Sequence, residues 1–171
     1  MNSGLEDDDP EEEKTRLSPM ELRHNARVAA AQALYQLDIM GAPVKSVVFE
    51  FLNHRFGHED EPGYMQADEA FFEAIVFGVV EDQASVDALI SERLSEKWKL
   101  SRLDRTLRAI LRSAVWELSR RDDVPAKSVI DEYVRLTTRF FDAKEAGFVN
   151  AILDRLARDV RTVEMTPTNP A

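Results

Sequence analysis

The stretch from residue 79 to residue 124 contains neither glycine nor proline, and this most narrows the folds available to the chain. Short strands joined by turns need these residues at frequent intervals, whereas helix interiors exclude them. Apolar side chains also recur at helical spacing near the end of the stretch: Leu107, Ile110, Leu111, Ala114 and Leu118. The pattern predicts helices here and no strands.

The first helix is predicted from its end signals. Ser18 and Glu21 have the spacing of a capping box, and Pro19 stands at the first helical position, where proline is favoured. Gly41 can end the helix, because glycine readily adopts the left-handed conformation of a C-terminal cap. A helix is therefore expected between Ser18 and Gly41.

The rest of the chain shows the same helical periodicity. Further patterns cover residues 43–57, 67–94, 107–118, 126–140 and 149–160, with a kink expected near residues 82–84. The sequence thus predicts an all-α fold of about six helices. Residues 1–17 are predicted to be a disordered acidic tail, residues 18–161 a helical domain, and residues 162–171 a second disordered tail.

Composition excludes several classes of protein. Cysteine is absent, so disulfides, thiolate catalysis and sulfur-ligated zinc are excluded. No apolar run is long enough for a membrane span, and the polar N-terminus lacks a signal-peptide core, so a cytoplasmic location is expected. The net charge of −10 argues against nucleic acid, but residues 14–49 and 97–161 carry more basic than acidic side chains. A locally positive surface that attracts nucleic acid is therefore compatible with the composition.

Catalytic and metal sites find little support. His54 and His58 have a spacing that could chelate a metal, but Gly57 lies between them at an expected helix end. The chain has no phosphate-binding glycine loop of the Walker type and no dinucleotide-binding glycine motif. We therefore expect no enzyme, no cofactor and no metal.

The first helix carries a candidate nucleic-acid surface. At 100° per residue, His24, Arg27 and Tyr35 fall opposite the apolar side, and Arg23 lies beside Arg27. Arginine can clamp phosphate and an exposed aromatic ring can stack an unpaired base. The alternative is an ordinary solvated helix face, and periodicity alone leaves both open.

A second basic row consists of Arg105, Arg108 and Arg112, continued by Trp116. It could be a ligand surface, but the preferred interpretation is a central helix buried on two sides. In that case the arginines pair with acidic residues of segment 50–96.

Three blocks of sequence resemble the NusB family of transcription antitermination factors. They are ARVAAAQALYQLD in the first helix, LDRTLRAILRSAVWELSRRDDVPAKSVIDEYVRLTTRFF in the middle, and GFVNAILDRLAR near the end. The resemblance implies two small packed helical bundles without enzymatic activity. It also implies an RNA-binding surface whose residues are Arg23, His24, Arg27, Gln32, Tyr35, Lys144 and Phe148, with Phe148 exposed.

The same resemblance implies the partners. They are the single-stranded boxA element of ribosomal RNA leader transcripts, the ribosomal protein NusE, and the RNA polymerase antitermination complex with NusA and NusG. Arg105 and Arg108 are the residues suggested for NusE contact, and a homodimer is left open. Two rivals are a protein-only helical adaptor that has lost RNA binding, and the helical domain of ribosomal RNA methyltransferases.

Overall fold

The computed structural model describes residues 16–57 and 64–167. Within them lie eight α-helices: α1 (Pro19–Met40), α2 (Val44–Glu50), α3 (Glu69–Glu81), α4 (Gln83–Ser91), α5 (Arg105–Arg120), α6 (Ala126–Thr137), α7 (Ala143–Val160) and α8 (Thr162–Met165). A π-helical turn, Phe51–Arg55, extends α2, and a 3-10 turn, Leu100–Arg102, precedes α5. In this described part, β structure is limited to one isolated bridge, Phe56 to Met65.

The predicted all-α class is confirmed, but the count of about six helices is too low. The pattern over residues 67–94 divides at Asp82 into α3 and α4, close to the expected kink, and α8 lies beyond the last predicted helix. Asp82 leaves helical geometry (φ −98°, ψ 15°), so the backbone changes direction while the apolar periodicity continues.

Both ends of α1 follow the predicted signals. The Ser18 hydroxyl accepts a hydrogen bond from the Glu21 amide at 3.2 Å, and the Glu21 carboxylate accepts one from the Ser18 amide at 2.7 Å. Gly41 adopts the left-handed conformation (φ 61°) and donates its amide to the Leu37 carbonyl at 3.0 Å. These local bonds satisfy terminal groups that the helix cannot pair itself.

One continuous apolar core joins the helices, and α5 lies at its centre. This helix packs against α1 and α3 on one side and against α4, α6 and α7 on others. Ile110, Leu111, Ala114 and Leu118 of α5 are fully buried. The first helix is also enclosed, because α3, α5 and α6 all contact it. Alanine at positions 29, 30 and 31 lets these neighbours approach closely.

The predicted C-terminal tail is partly wrong. Residues 162–165 form α8, and the Glu164 carboxylate accepts a hydrogen bond from the Ala126 amide at the start of α6, at 2.7 Å. The buried Arg161 guanidinium donates to the carbonyls of Leu118, Arg121 and Val124 at 2.9, 2.6 and 3.1 Å. Tertiary hydrogen bonds therefore hold a segment whose own sequence gives little helical signal. The predicted tail residues 1–15 and 168–171 lie outside the described residues.

Candidate nucleic-acid interface

Arg27 faces the interior, contrary to the prediction from the helical wheel. It is 4% exposed and forms two hydrogen bonds with the fully buried Glu117 carboxylate of α5, at 3.0 and 2.6 Å. Burial acts to lower the pKa of the Arg27 guanidinium, but the hydrogen bond and charge of Glu117 raise it above its ordinary value. The helix wheel failed here because α1 is packed on more than one side.

His24 is buried beside Arg27 and is likewise not on an open face. Its Nδ1 lies 2.8 Å from the Glu132 carboxylate of α6. Arg23 remains partly exposed, with its Nε 3.9 Å from an oxygen of Asp68. Of the three basic residues at the start of α1, only Arg23 is thus accessible to a ligand in this structure.

Three guanidinium groups surround the buried ring of Phe71. The groups of Arg23, Arg27 and Arg121 lie 4.9, 5.0 and 5.1 Å from its centroid. Such contacts are favourable cation–π interactions. Arg121 also forms two hydrogen bonds with Asp123, at 2.8 and 2.9 Å, which lower the pKa of the Asp123 carboxyl to about 2. The cluster ties α1 to α3 and to the end of α5.

The second half of α1 does face solvent. Gln32 and Tyr35 are exposed and line a groove of about 700 Å³ between α1, the π-helical turn and the start of α5. Thr106 and Phe140 form part of its opposite wall. An exposed tyrosine beside a polar amide can stack and hydrogen-bond an unpaired base.

A second depression, of about 210 Å³, contains the other predicted RNA-binding residues. Lys144 is exposed, whereas Phe148 is half-buried against the core, so the expectation of an exposed Phe148 holds only in part. Trp98, which the sequence analysis did not single out, lies beside Phe148 with ring centroids 6.4 Å apart. A large aromatic residue between two lysines, in a segment without helical periodicity, was the signal that could have identified it.

The linings of the two depressions include residues that are neighbours in sequence. Thr106 and Phe140 line the first depression, and Leu107 and Phe141 line the second. We use one name, the aromatic strip, for the following side chains of the two depressions: Gln32, Tyr35, Phe140, Trp98, Lys144 and Phe148.

Two arginines of the second basic row, Arg108 and Arg112, pair with carboxylates inside the chain, as preferred from the sequence. Arg112 forms two hydrogen bonds with Asp87, at 2.8 and 3.0 Å, and Trp116 is 7% exposed. Arg108 pairs with Asp38, which opposes its suggested role in partner contact, whereas Arg105 is exposed. The predicted acidic segment supplies Asp87, but Asp38 comes from α1.

The described residues also bear on metal binding and membrane insertion. Residues 16–57 and 64–167 hold no group of three or more His, Cys, Asp or Glu side chains that could bind a metal ion. His54 is exposed, and His58 lies outside the described residues. No described helix is both long and apolar enough to cross a membrane.

The fold and the strip define a class: an all-helical protein with aromatic and cationic side chains at its surface. The sequence model of the NusB family matches residues 24–158, and the chain therefore belongs to the NusB family. The transcription antitermination protein NusB of Maricaulis maris (strain MCS10) is 49% identical over 156 residues, covering 91% of this chain and 94% of that protein. Transcription antitermination is not an enzymatic activity, so the prediction of a non-enzyme is confirmed.

Solved structures agree with this assignment. NusB of T. maritima superimposes with a TM-score of 0.70 at 27% identity, covering 87% of this chain and 97% of that one. A chain from a crystal structure of antitermination factors NusB and NusE in complex with dsRNA has a TM-score of 0.64 at 25% identity. That match covers 82% of this chain and 98% of the other.

Proposed function

We propose that this chain binds single-stranded boxA RNA along the aromatic strip, together with a NusE-type ribosomal protein. The observation that carries the proposal is that Tyr35 and the Trp98–Phe148 pair line two depressions whose walls include consecutive residues, Thr106–Leu107 and Phe140–Phe141. Single-stranded nucleic acid is bound by this combination of stacking rings and nearby cations. The proposal is also supported by a structural relative, which was crystallised as a complex of NusB and NusE with dsRNA.

Each residue that the NusB resemblance implies for RNA binding has a distinct role in this proposal. Tyr35 and Phe148 contact bases, Gln32 offers its amide to a base edge, and Lys144 contacts a phosphate. Arg23 supplies a further cation at the start of α1. His24 and Arg27 act indirectly: the contact of His24 with Glu132 and the buried ion pair of Arg27 with Glu117 fix the position of α1 and hence of Tyr35.

The proposed complex acts on transcription of ribosomal RNA. With NusE, NusA and NusG, the chain keeps RNA polymerase elongating through ribosomal RNA operons, which requires a cytoplasmic location. Arg105 is the better candidate for contact with NusE, because its side chain is exposed and Arg108 is paired with Asp38.

The test is a fluorescence anisotropy titration of labelled boxA-type RNA with the full chain, alone and with NusE. A scrambled strand and a duplex of the same sequence are the controls. Tyr35→Ala is expected to weaken binding roughly tenfold, because loss of one base–aromatic stack has about that effect. Phe49→Ala is the matched control, since Phe49 is also exposed but lies outside the strip. Equal affinity for boxA and the scrambled strand, with and without NusE, would refute the proposal.

A protein-only adaptor is the second candidate, and one observation favours it. Arg27, Arg108 and Arg112 all pair with carboxylates of this chain, which leaves fewer cations for phosphate. Salt dependence separates the two functions. An RNA-binding protein loses affinity as salt rises because counterions are released on binding, whereas a protein-only adaptor shows no RNA binding at low salt.

A further inference from the structure

Trp98 is exposed in a segment that is otherwise held to the core. Its exposed fraction is 54%, against 7% for the other tryptophan, Trp116. The leucines on either side of it, Leu94 and Leu100, pack against the core, and Leu103 is buried. Since these leucines anchor the segment, the fold does not need the Trp98 ring. Because Trp98 lies with Phe141 and Phe148 along one depression, its ring is part of an apolar patch rather than an isolated exposed residue, and such patches mark binding surfaces.

The geometry around Trp98 suits a planar ligand. Its ring lies 6.4 Å from the Phe148 ring, with 48° between the two planes. Aromatic pairs at this separation attract each other, so Phe148 supports the indole from one side. The depression they share has a volume of about 210 Å³. This is smaller than the sites of drug-sized ligands, about 300–1,000 Å³, and suits one flat ring system.

The charges of the same depression favour a ligand that carries phosphate. Arg102 and Lys144 line it, and Lys97 and Lys99 are exposed on either side of Trp98 in sequence. Its two acidic residues serve as helix caps. Asp104 accepts hydrogen bonds from the amides of residues 106 and 107, at 2.8 and 3.2 Å, and Glu145 accepts one from the amide of residue 142, at 3.2 Å. With Lys97 and Lys99 counted, four cationic side chains lie in or beside the depression, against these two carboxylates.

We propose that Trp98 and Phe148 form a stacking site for one unpaired base of bound RNA, with Lys144 and Arg102 at the adjoining phosphates. The proposal rests on the proposed function and adds Trp98 and Arg102 to it. The base stacks on the open face of the Trp98 indole, at the end of the aromatic strip away from Tyr35.

The test compares Trp98→Ala and Trp98→Phe with the wild-type full chain, using a single-stranded boxA-type RNA in the presence of NusE. Trp98→Ala is expected to weaken binding roughly tenfold, whereas Trp98→Phe retains most of the affinity because phenylalanine still stacks. Phe49→Ala again serves as the control. RNA is also expected to quench the tryptophan emission of the wild type but not of Trp98→Phe, whose remaining indole, Trp116, is buried.

The outcomes separate this inference from the proposed function. RNA binding by the wild type with unchanged affinity in Trp98→Ala and no quenching would overturn the role of Trp98 alone. Unchanged RNA affinity with weakened NusE binding would overturn it too, and would make Trp98 a protein contact. A wild type that binds no RNA with NusE present would refute both proposals.

Discussion

Replacing Arg27 by methionine tests whether the start of α1 is a buried support or an RNA-binding face. In the structure the Arg27 guanidinium is 4% exposed, and its partner Glu117 is completely buried. Methionine fills much of the same space but leaves the Glu117 carboxylate without a cation. Breaking one side of a buried pair typically costs about 3–5 kcal/mol of stability. For a chain of this size the melting temperature should fall by about 6–20 °C.

The partner substitution makes the prediction sharper. In the double variant Arg27→Met/Glu117→Leu no uncompensated charge remains, and well-packed apolar replacements of buried pairs are often close to neutral. We therefore expect the double variant to be more stable than Arg27→Met. Arg55→Met is the matched control, because Arg55 and Glu50 form an exposed pair that contributes only about 0–1 kcal/mol.

The measurements are urea unfolding of all four proteins, followed by circular dichroism, and RNA titration well below each melting temperature. We expect the free energy of unfolding to fall strongly in Arg27→Met, to recover in the double variant and to change little in Arg55→Met. Full stability of Arg27→Met combined with lost RNA affinity would show instead that Arg27 contacts RNA directly.

Three further predictions concern stability. Gly78→Ala should destabilise the fold despite the better helix propensity of alanine, because its Cβ would lie 2.2 Å from the Trp116 ring. Gly147→Ala has open space and should stabilise by about 0.5–1 kcal/mol; thermal melting compares the pair. Arg161→Met should cost about 3 kcal/mol in urea unfolding, because three carbonyls lose a buried charged donor. Asp123 has its pKa lowered from 3.8 to about 2, so its stabilisation is complete above pH 3.8 and is lost as pH falls towards 2. Asp123→Asn should flatten that part of the stability–pH curve, and an unchanged curve would contradict the assignment.

Local signals explain why the helices were largely predictable. The capping box at Ser18 and the glycine at position 41 bond only to neighbours within their own helix, so the sequence is sufficient to locate them. The α8 segment is different. Glu164 accepts a hydrogen bond from α6, and Arg161 donates hydrogen bonds to carbonyls far away in the sequence. Contacts between residues about 40 positions apart leave no periodic pattern in the sequence.

The candidate site was predicted less well for a related reason. A helical wheel assumes one buried side, and the alanine-rich middle of α1 admits neighbours on several sides, so Arg27 was assigned to the wrong environment. Gln32 and Tyr35 lie further along, where the groove opens, and there the expected exposure holds. Trp98 lies in a connection without periodicity, for which a wheel gives no information.

The distribution of charge in the chain bears on the proposed binding of RNA. His24 and Arg27 at the start of α1 contact carboxylates of α6 and α5, while aromatic rings such as those of Tyr35 and Trp98 remain at the surface. Base stacking does not itself need a positively charged surface, so it can contribute to binding although the chain carries a net charge of −10. In the proposed complex, phosphate contacts come from the exposed cations near Lys144 and from the partner protein. Dependence on NusE is therefore what the charge distribution of this chain leads us to expect.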